Sequence, residues 1–386
     1  LKGASDLSSV PMGPGSIIEV YADRNNANGT PFLKLSANGG LRGMTFDYPE
    51  QVYSNLPNVP AYPYLIQVTG SDAYIVNVGM RATYSGIDLF TYKCDHHYLD
   101  FVAGHVFKNG IRVGGNSAGG KISNLQFNTI VYAAGAESKF GSWPNPPTGD
   151  NTGAYEYNYA NLDFLTLGNC QDETLYNNFV FGSHSGIVML SENGSGPSGL
   201  SLGLGIDGSR NSMRFEGAGA AGLDFINSQV VGYGDTTTTY ISTQPGYTGS
   251  ATMCNSDYWG NPGKGLIMNG GTINMQQANF HHPGQLRWAA ISNGALNIHN
   301  SAIWPVGAIL NPGAGSHLSA RSSIIDSAQL STSTTALWQN NLGNIWGVSV
   351  AGAMDRQGWT ATASVNNGNA KNALDTQRSS VTAYRG

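Results

Sequence analysis

Apolar residues recur along this chain in short alternating runs, each closed by Gly, Asn or Ser. One series reads apolar–X–apolar before a turn: Ile87-Asp88-Leu89, Ile111-Arg112-Val113, Leu162-Asp163-Phe164, Ile187-Val188-Met189 and Met213-Arg214-Phe215. Strict alternation marks a strand with one buried face. The steps between the central residues are 24, 51, 25 and 26 residues. A step of about 25 residues suits one coil of a solenoid, made of three short strands joined by turns. The step of 51 reads as two coils, with an extra-long loop around Phe140-Gly141-Ser142-Trp143-Pro144-Asn145-Pro146-Pro147.

A second series lies between these. It includes Tyr98-Leu99-Asp100-Phe101, Ile122-Ser123-Asn124, Leu175-Tyr176-Asn177-Asn178-Phe179, Leu223-Asp224-Phe225-Ile226-Asn227, Ile273-Asn274-Met275, Leu296-Asn297-Ile298-His299-Asn300 and Leu318-Ser319-Ala320-Arg321-Ser322. Many of these carry Asn near the strand end. Gly and Asn tolerate the left-handed backbone that tight turns need, and Asn stacked at equivalent turns forms amide ladders. A sandwich would show hairpin turns at closer spacing, and a helical solenoid would need a helical period. The pattern therefore predicts an all-β chain, a right-handed parallel β-helix over residues 1–352.

Composition agrees with a turn-rich solenoid. Among 386 residues there are 52 Gly, and only 11% are charged, against roughly 25% in an average domain. Disorder is excluded by a hydrophobic content of 40%, with 19 Tyr, 13 Phe and 7 Trp to bury. The net charge of −5 and the absence of a basic stripe argue against nucleic acid as a partner. No apolar run is long enough to span a membrane. The chain opens at Leu1-Lys2-Gly3 without a signal peptide or initiator Met, which fits an exported chain whose signal has been removed. Three cysteines, Cys94, Cys170 and Cys254, make no disulfide framework and read as buried free thiols.

The repeat style, including Gly39-Gly40-Leu41-Arg42-Gly43-Met44-Thr45-Phe46-Asp47-Tyr48-Pro49, resembles the secreted pectate-lyase-like β-helix enzymes over about residues 30–350. That resemblance implies an extracellular protein acting on carbohydrate polymers. Within the group, Asn161-Leu162-Asp163, Gly182-Ser183-His184-Ser185-Gly186 and Met213-Arg214-Phe215-Glu216 echo the order of the polygalacturonase motifs. The adjacent Asp pair of that family is missing here, and Glu216 stands where it has Lys. Near the C-terminus, Gly358-Trp359-Thr360-Ala361-Thr362-Ala363-Ser364 and Asn372-Ala373-Leu374-Asp375 resemble the opening of a discoidin-type carbohydrate-binding module. Residues 353–386 thus read as a linker and the start of such a module, cut short.

Candidate chemistry follows from which residues face outward. Alternation puts Asp88, Arg112, Asp163 and Arg214 on the outer face of one sheet, with coils about 4.8 Å apart. Glycoside hydrolysis needs two carboxyl groups, one donating a proton and one acting as base or nucleophile. The candidates are Asp163, Glu192 and Glu216, with Asp88 and Asp207 in reserve. Asp88, Arg112, His184, Arg214, Trp143 and Tyr157 are candidate substrate-binding residues. The insert from Glu137 to Tyr159, with Trp143, Tyr155, Tyr157 and Tyr159, is expected beside a sugar-binding groove. The segment Tyr233 to Pro262, with Tyr240, Tyr247, Tyr258 and Trp259, is expected as a second wall.

Elimination chemistry would instead use a base and a cation to neutralise a uronate carboxylate, with Arg112, Lys108, His105, His184, Arg210 and Arg214 available. Scarce Lys and Arg weigh against a polyuronate. The adjacent pairs His96-His97 and His281-His282 point to opposite faces of a strand and make no ready two-ligand metal site; no metal ligand is assigned and no cofactor is expected, while Ca²⁺ held by Asp and Asn of the turns is left open. The sequence therefore predicts an extracellular glycoside hydrolase or transglycosylase acting on a polysaccharide. A polysaccharide lyase is the first alternative and a non-catalytic adhesin or tailspike-like binder the second. The oligomeric state is left open.

Overall fold

The computed structural model describes residues 16–52, 56–129, 153–233, 236–281, 287–304 and 309–325, with three short strand segments at 329–330, 337–339 and 345–346. Trp143 and the segment 353–386 lie outside the described residues. The chain forms a parallel β-solenoid of about 11 turns. Every long pairing between its stacked strands is parallel, as in Tyr74–Leu89 on Tyr98–Val113 and Phe179–Met189 on Gly205–Phe215.

In-register stacking places like residues above one another and builds the core as ladders. One inward ladder runs Leu41, Ile75, Leu99, Ile122, Leu175, with Phe225, Met253, Met275 and Ile298 further along. Another runs Ile87, Ile111, Leu165, Ile187, Met213, Ile241 and Leu266, all buried. Tyr258 and Phe280, one coil apart, stack face to face with ring centroids 4.2 Å apart. Each side chain buried this way is worth about 1.5–3 kcal/mol.

The register corrects one sequence expectation. Arg112 lies directly opposite Thr166, with no coil between them. The 51-residue step is therefore a single turn enlarged by an insertion. The central outward ladder reads Asp88, Arg112, Thr166, Val188, Arg214. Asp163 sits three residues earlier, at a corner, opposite Asn109 and Ser185. The misreading has a simple cause, since Leu162-Asp163-Phe164 and Leu165-Thr166-Leu167 both alternate and follow one another. The insertion is also not all loop, because Ala154–Asn161 is a helix.

One turn repeats in every described coil. Gly43, Asn77, Phe101, Asn124, Asn177, Gly203, Asn227, Asn255, Gln277, Asn300 and Ser322 occupy equivalent positions, all with φ between 47° and 73°. A single left-handed residue bends the strand, and its amide bonds to the coil above, as Asn124 does to the carbonyl of Tyr176 at 2.9 Å. The expected amide ladder is present: Asn177 donates to Asn124 at 2.8 Å and Asn255 to Asn227 at 2.7 Å. Phe101 is the misfit. It is 38% exposed and carries the left-handed penalty of about 1–2 kcal/mol that Cβ imposes. Phe101→Asn is expected to stabilise the fold by about 1 kcal/mol and Asn177→Val to destabilise it by a similar amount. Urea unfolding of both variants checks this, and a destabilised Phe101→Asn would contradict it.

Inside the stack lies a buried ion pair. His97 and Glu173 are both fully buried, with Nε2 and Oε2 3.3 Å apart. The imidazole Nδ1–H donates to the Cys94 carbonyl at 2.8 Å. The N–H and carboxylate are close but poorly aligned, and neither Glu173 oxygen has a hydrogen-bond partner among the described residues. Burial pulls the His97 pKa down, but the facing Glu173 outweighs it and leaves the imidazole raised above its usual value. A raised folded pKa contributes stability that is fully present below the unfolded value of about 6.5 and is lost as pH rises through the folded value. His97→Gln is expected to cost about 3–5 kcal/mol, since it strands a buried carboxylate, and to flatten that alkaline fall. Thermal melts across pH 5 to 9 provide the check.

Candidate functional site

The insertion returns to the solenoid through its helix, and this return positions the site. The helix Ala154–Asn161 begins at Gly153, whose φ of 76° turns the chain into it. Three anchors pin it across the coils. The Tyr155 hydroxyl donates to the Gly208 carbonyl at 2.9 Å, Tyr159 bonds the Thr238 hydroxyl at 2.7 Å, and buried Asn158 donates to the Val106 carbonyl at 3.0 Å. Next comes Leu162, then Asp163. Leu162, Phe164 and Leu165 are all buried, so the strand changes parity at the bend and leaves Asp163 facing out. One coil higher, the amides of His184 and Ser185 both donate to the Leu162 carbonyl, at 2.8 and 3.0 Å. That local irregularity turns His184 outward beside Asp163.

Four of the residues singled out from sequence meet here. Arg214 is the centre: its Nη2 lies 3.5 Å from Asp163 Oδ2 and its Nε 2.9 Å from Glu216 Oε1. The Nε contact is an ion pair rather than an aligned hydrogen bond. His184 Nδ1 stands 3.2 Å from Asp163 Oδ1. A fifth residue, Ser185, was not singled out, although it sits inside the Gly-Ser-His-Ser-Gly motif. Its buried hydroxyl accepts from Arg214 Nη1 at 3.1 Å and lies 3.3 Å from His184 Nδ1. One imidazole nitrogen thus faces both Ser185 and Asp163, which is not the two-nitrogen relay of a serine hydrolase. His184 Nε2 has no hydrogen-bond partner among the described residues. Because one planar guanidinium holds both carboxylates, their nearest oxygens can be no more than about 9 Å apart, which does not exceed the widest separation that glycosidic hydrolysis uses.

Asp163 is the titratable group whose environment is most informative. Burial pushes its carboxyl up, but the His184 hydrogen bond, the Arg214 charge and Ser185 together outweigh burial and hold it below the usual carboxylate value. It stays ionised at neutral pH. Asp207 behaves in the opposite way: burial raises it, only partly offset by a hydrogen bond from Tyr233.

The other sequence candidates have different surroundings. Glu192 opens a turn, and its carboxylate accepts from the amides of Asn169 at 2.7 Å and Gly115 at 3.2 Å, bracing the two coils below. Asp88 is almost wholly buried and caps its own turn, accepting from Phe90 and Thr91 amides at 2.9 and 3.1 Å. Arg112 lies over the Phe90 ring, 4.1 Å from its centroid. Tyr157 packs edge-on against Phe107, with ring centroids 5.5 Å apart, and burial pushes its hydroxyl up to about 12. It faces the core rather than a groove. In the second expected wall, Tyr240, Tyr247 and Tyr258 are core residues, while Trp259 is 42% exposed. Periodicity could not separate these tyrosines, because loop and strand meet inside the segment. His105, a lyase candidate, is buried against Asn158, and burial lowers its pKa to about 3.

No family model, curated protein or solved structure matches the chain. The site therefore rests on its own geometry. Asp163 contributes stability that is present above the unfolded carboxylate value of about 3.9 and is lost as pH falls through its lowered folded value. Arg214→Met is expected to raise the Asp163 pKa and to shrink that acid limb. Carboxyl titration by NMR reads the shift directly, and an unmoved Asp163 would show that Arg214 does not control it.

Proposed function

We propose that this chain is an extracellular glycoside hydrolase that acts on a neutral polysaccharide laid across the corner at Asp163, His184, Arg214 and Glu216. The observation that carries the reading is a single guanidinium holding two carboxylates. Hydrolysis needs two carboxyl groups within about 10 Å of each other. Asp163, kept ionised, suits the base or nucleophile, and Glu216 supplies the second carboxyl, which must take up a proton before it can act as the acid. Counting Asp163, Glu216 and Arg214, the cluster carries a formal charge of minus one. Arg214 therefore presents no uncompensated cation to a uronate, which favours neutral sugars over polyuronates. The pectate-lyase-like repeat style and the discoidin-like C-terminal residues support a carbohydrate polymer as substrate and an extracellular location.

Elimination is the second reading, and one observation favours it. His184 Nε2 is without a described partner beside Arg214, as a base next to a charge-neutralising group would be. Products separate the two readings. A panel of neutral and uronate polysaccharides should give new reducing ends without unsaturated products, and Asp163→Asn and Glu216→Gln should each lower kcat by about 10²–10⁴-fold. Glu192→Gln should lower stability while leaving activity per folded molecule intact, given its bonds to backbone amides. Absorbance from unsaturated products would overturn hydrolysis in favour of elimination. No reaction on any polymer, with binding retained, would favour a non-catalytic binder.

A further inference from the structure

We infer that Tyr233 and Trp259 form an aromatic platform that binds neutral sugar rings of the polymer on the face next to the cluster at Arg214. This deepens the proposed function and rests on it. Aromatic residues of the 233–262 segment divide sharply by exposure. Tyr240 and Tyr258 are fully buried, whereas Tyr233 is 44% and Trp259 42% exposed. Tyr233 is also held in place. Its hydroxyl faces the Asp207 carboxyl, and its ring packs against Phe181 and Tyr155, with centroids 6.3 and 6.5 Å away. A ring fixed before binding loses little freedom when a ligand covers its open face.

Trp259 is set by the register. Asp207, Val231 and Trp259 occupy the same outward position on three successive coils, which spaces Asp207 and Trp259 by roughly 10 Å. The Tyr240 hydroxyl locks the Trp259 carbonyl at 2.7 Å. Charge selects the ligand. The carboxyl beside the Tyr233 hydroxyl is Asp207, which when ionised repels a uronate and in either state can hydrogen-bond a sugar hydroxyl. The platform and the candidate site also share one support, because the helix that supplies Tyr155 runs directly into Asp163. Flat apolar faces with a fixed hydroxyl at the edge suit a pyranose, whose C–H face is apolar and whose rim is polar.

The test is affinity electrophoresis and initial-rate kinetics of the full chain with a neutral β-glucan, a neutral xylan and polygalacturonate. Tyr233→Ala and Trp259→Ala are compared with the parent protein and with Tyr233→Trp, which keeps a ring. Each alanine variant is expected to weaken binding and raise KM about tenfold on a neutral polymer, with kcat within twofold and with Tyr233→Trp restoring binding. If Tyr233→Ala fails to fold, Trp259→Ala carries the same expectation. Hydrolysis with unchanged KM in both alanine variants would overturn the platform and leave the hydrolase reading standing. Tighter binding of polygalacturonate would overturn the platform's preference for neutral sugars. Neither binding nor cleavage of any polymer by the parent protein would overturn both.

Discussion

The backbone hydrogen bond between one coil and the next is the constraint on which everything else in this molecule depends. Parallel in-register pairing leaves each residue no freedom to choose its neighbour, since residue identity at one coil sets what the coils above and below must accept. Inward positions favour apolar side chains from coil to coil, as in the ladder through Ile87, Ile111, Leu165 and Ile187, although buried Ser201 interrupts the neighbouring ladder. Turn positions must accept a left-handed backbone on every coil, and Asn and Gly meet it at eight of the eleven equivalent sites. The low charge of the chain follows from the same geometry. Like charges stacked about 4.8 Å apart would repel along the whole solenoid.

The candidate site lies where the repetition is interrupted. The insertion between Asn128 and Asp163 lengthens one coil, and its helix ties the surfaces of several coils together. At its return the strand changes parity, so Asp163 leaves the regular ladder and faces Arg214 two coils higher. Arg214 itself stays on the regular central ladder. The site is thus built from one residue displaced by the insertion and others carried by the repeat. Rigidity comes from the repeat, and the particular chemistry comes from the departure.

The fold was legible in sequence because its signals are local and repeated. Alternation near Ile111-Arg112-Val113 and Asn at the turns needed no knowledge of distant residues. The register was less legible. Leu162-Asp163-Phe164 and Leu165-Thr166-Leu167 are equally good alternating triplets, and only pairing across coils tells them apart. The meeting of Asp163, His184, Arg214 and Glu216 was partly foreseen because they fall on adjacent coils in any register near the true one. The roles of Glu192 and Asp88 were not legible, since a carboxylate that braces backbone amides looks the same in sequence as one facing substrate. Burial likewise separated Tyr258 from Trp259, adjacent aromatics whose side chains point to opposite faces of one strand.

If this corner hydrolyses a neutral polymer as proposed, a water oxygen ends on the glycosidic carbon, with Asp163 acting as base or nucleophile. The most direct measurement is digestion of a neutral polysaccharide in ¹⁸O-labelled water, with mass spectrometry of the first products. Hydrolysis at this corner predicts one ¹⁸O in each new reducing end formed by the parent protein and almost none with Asp163→Asn. Products without label, or labelled products formed equally well by Asp163→Asn, would contradict the account.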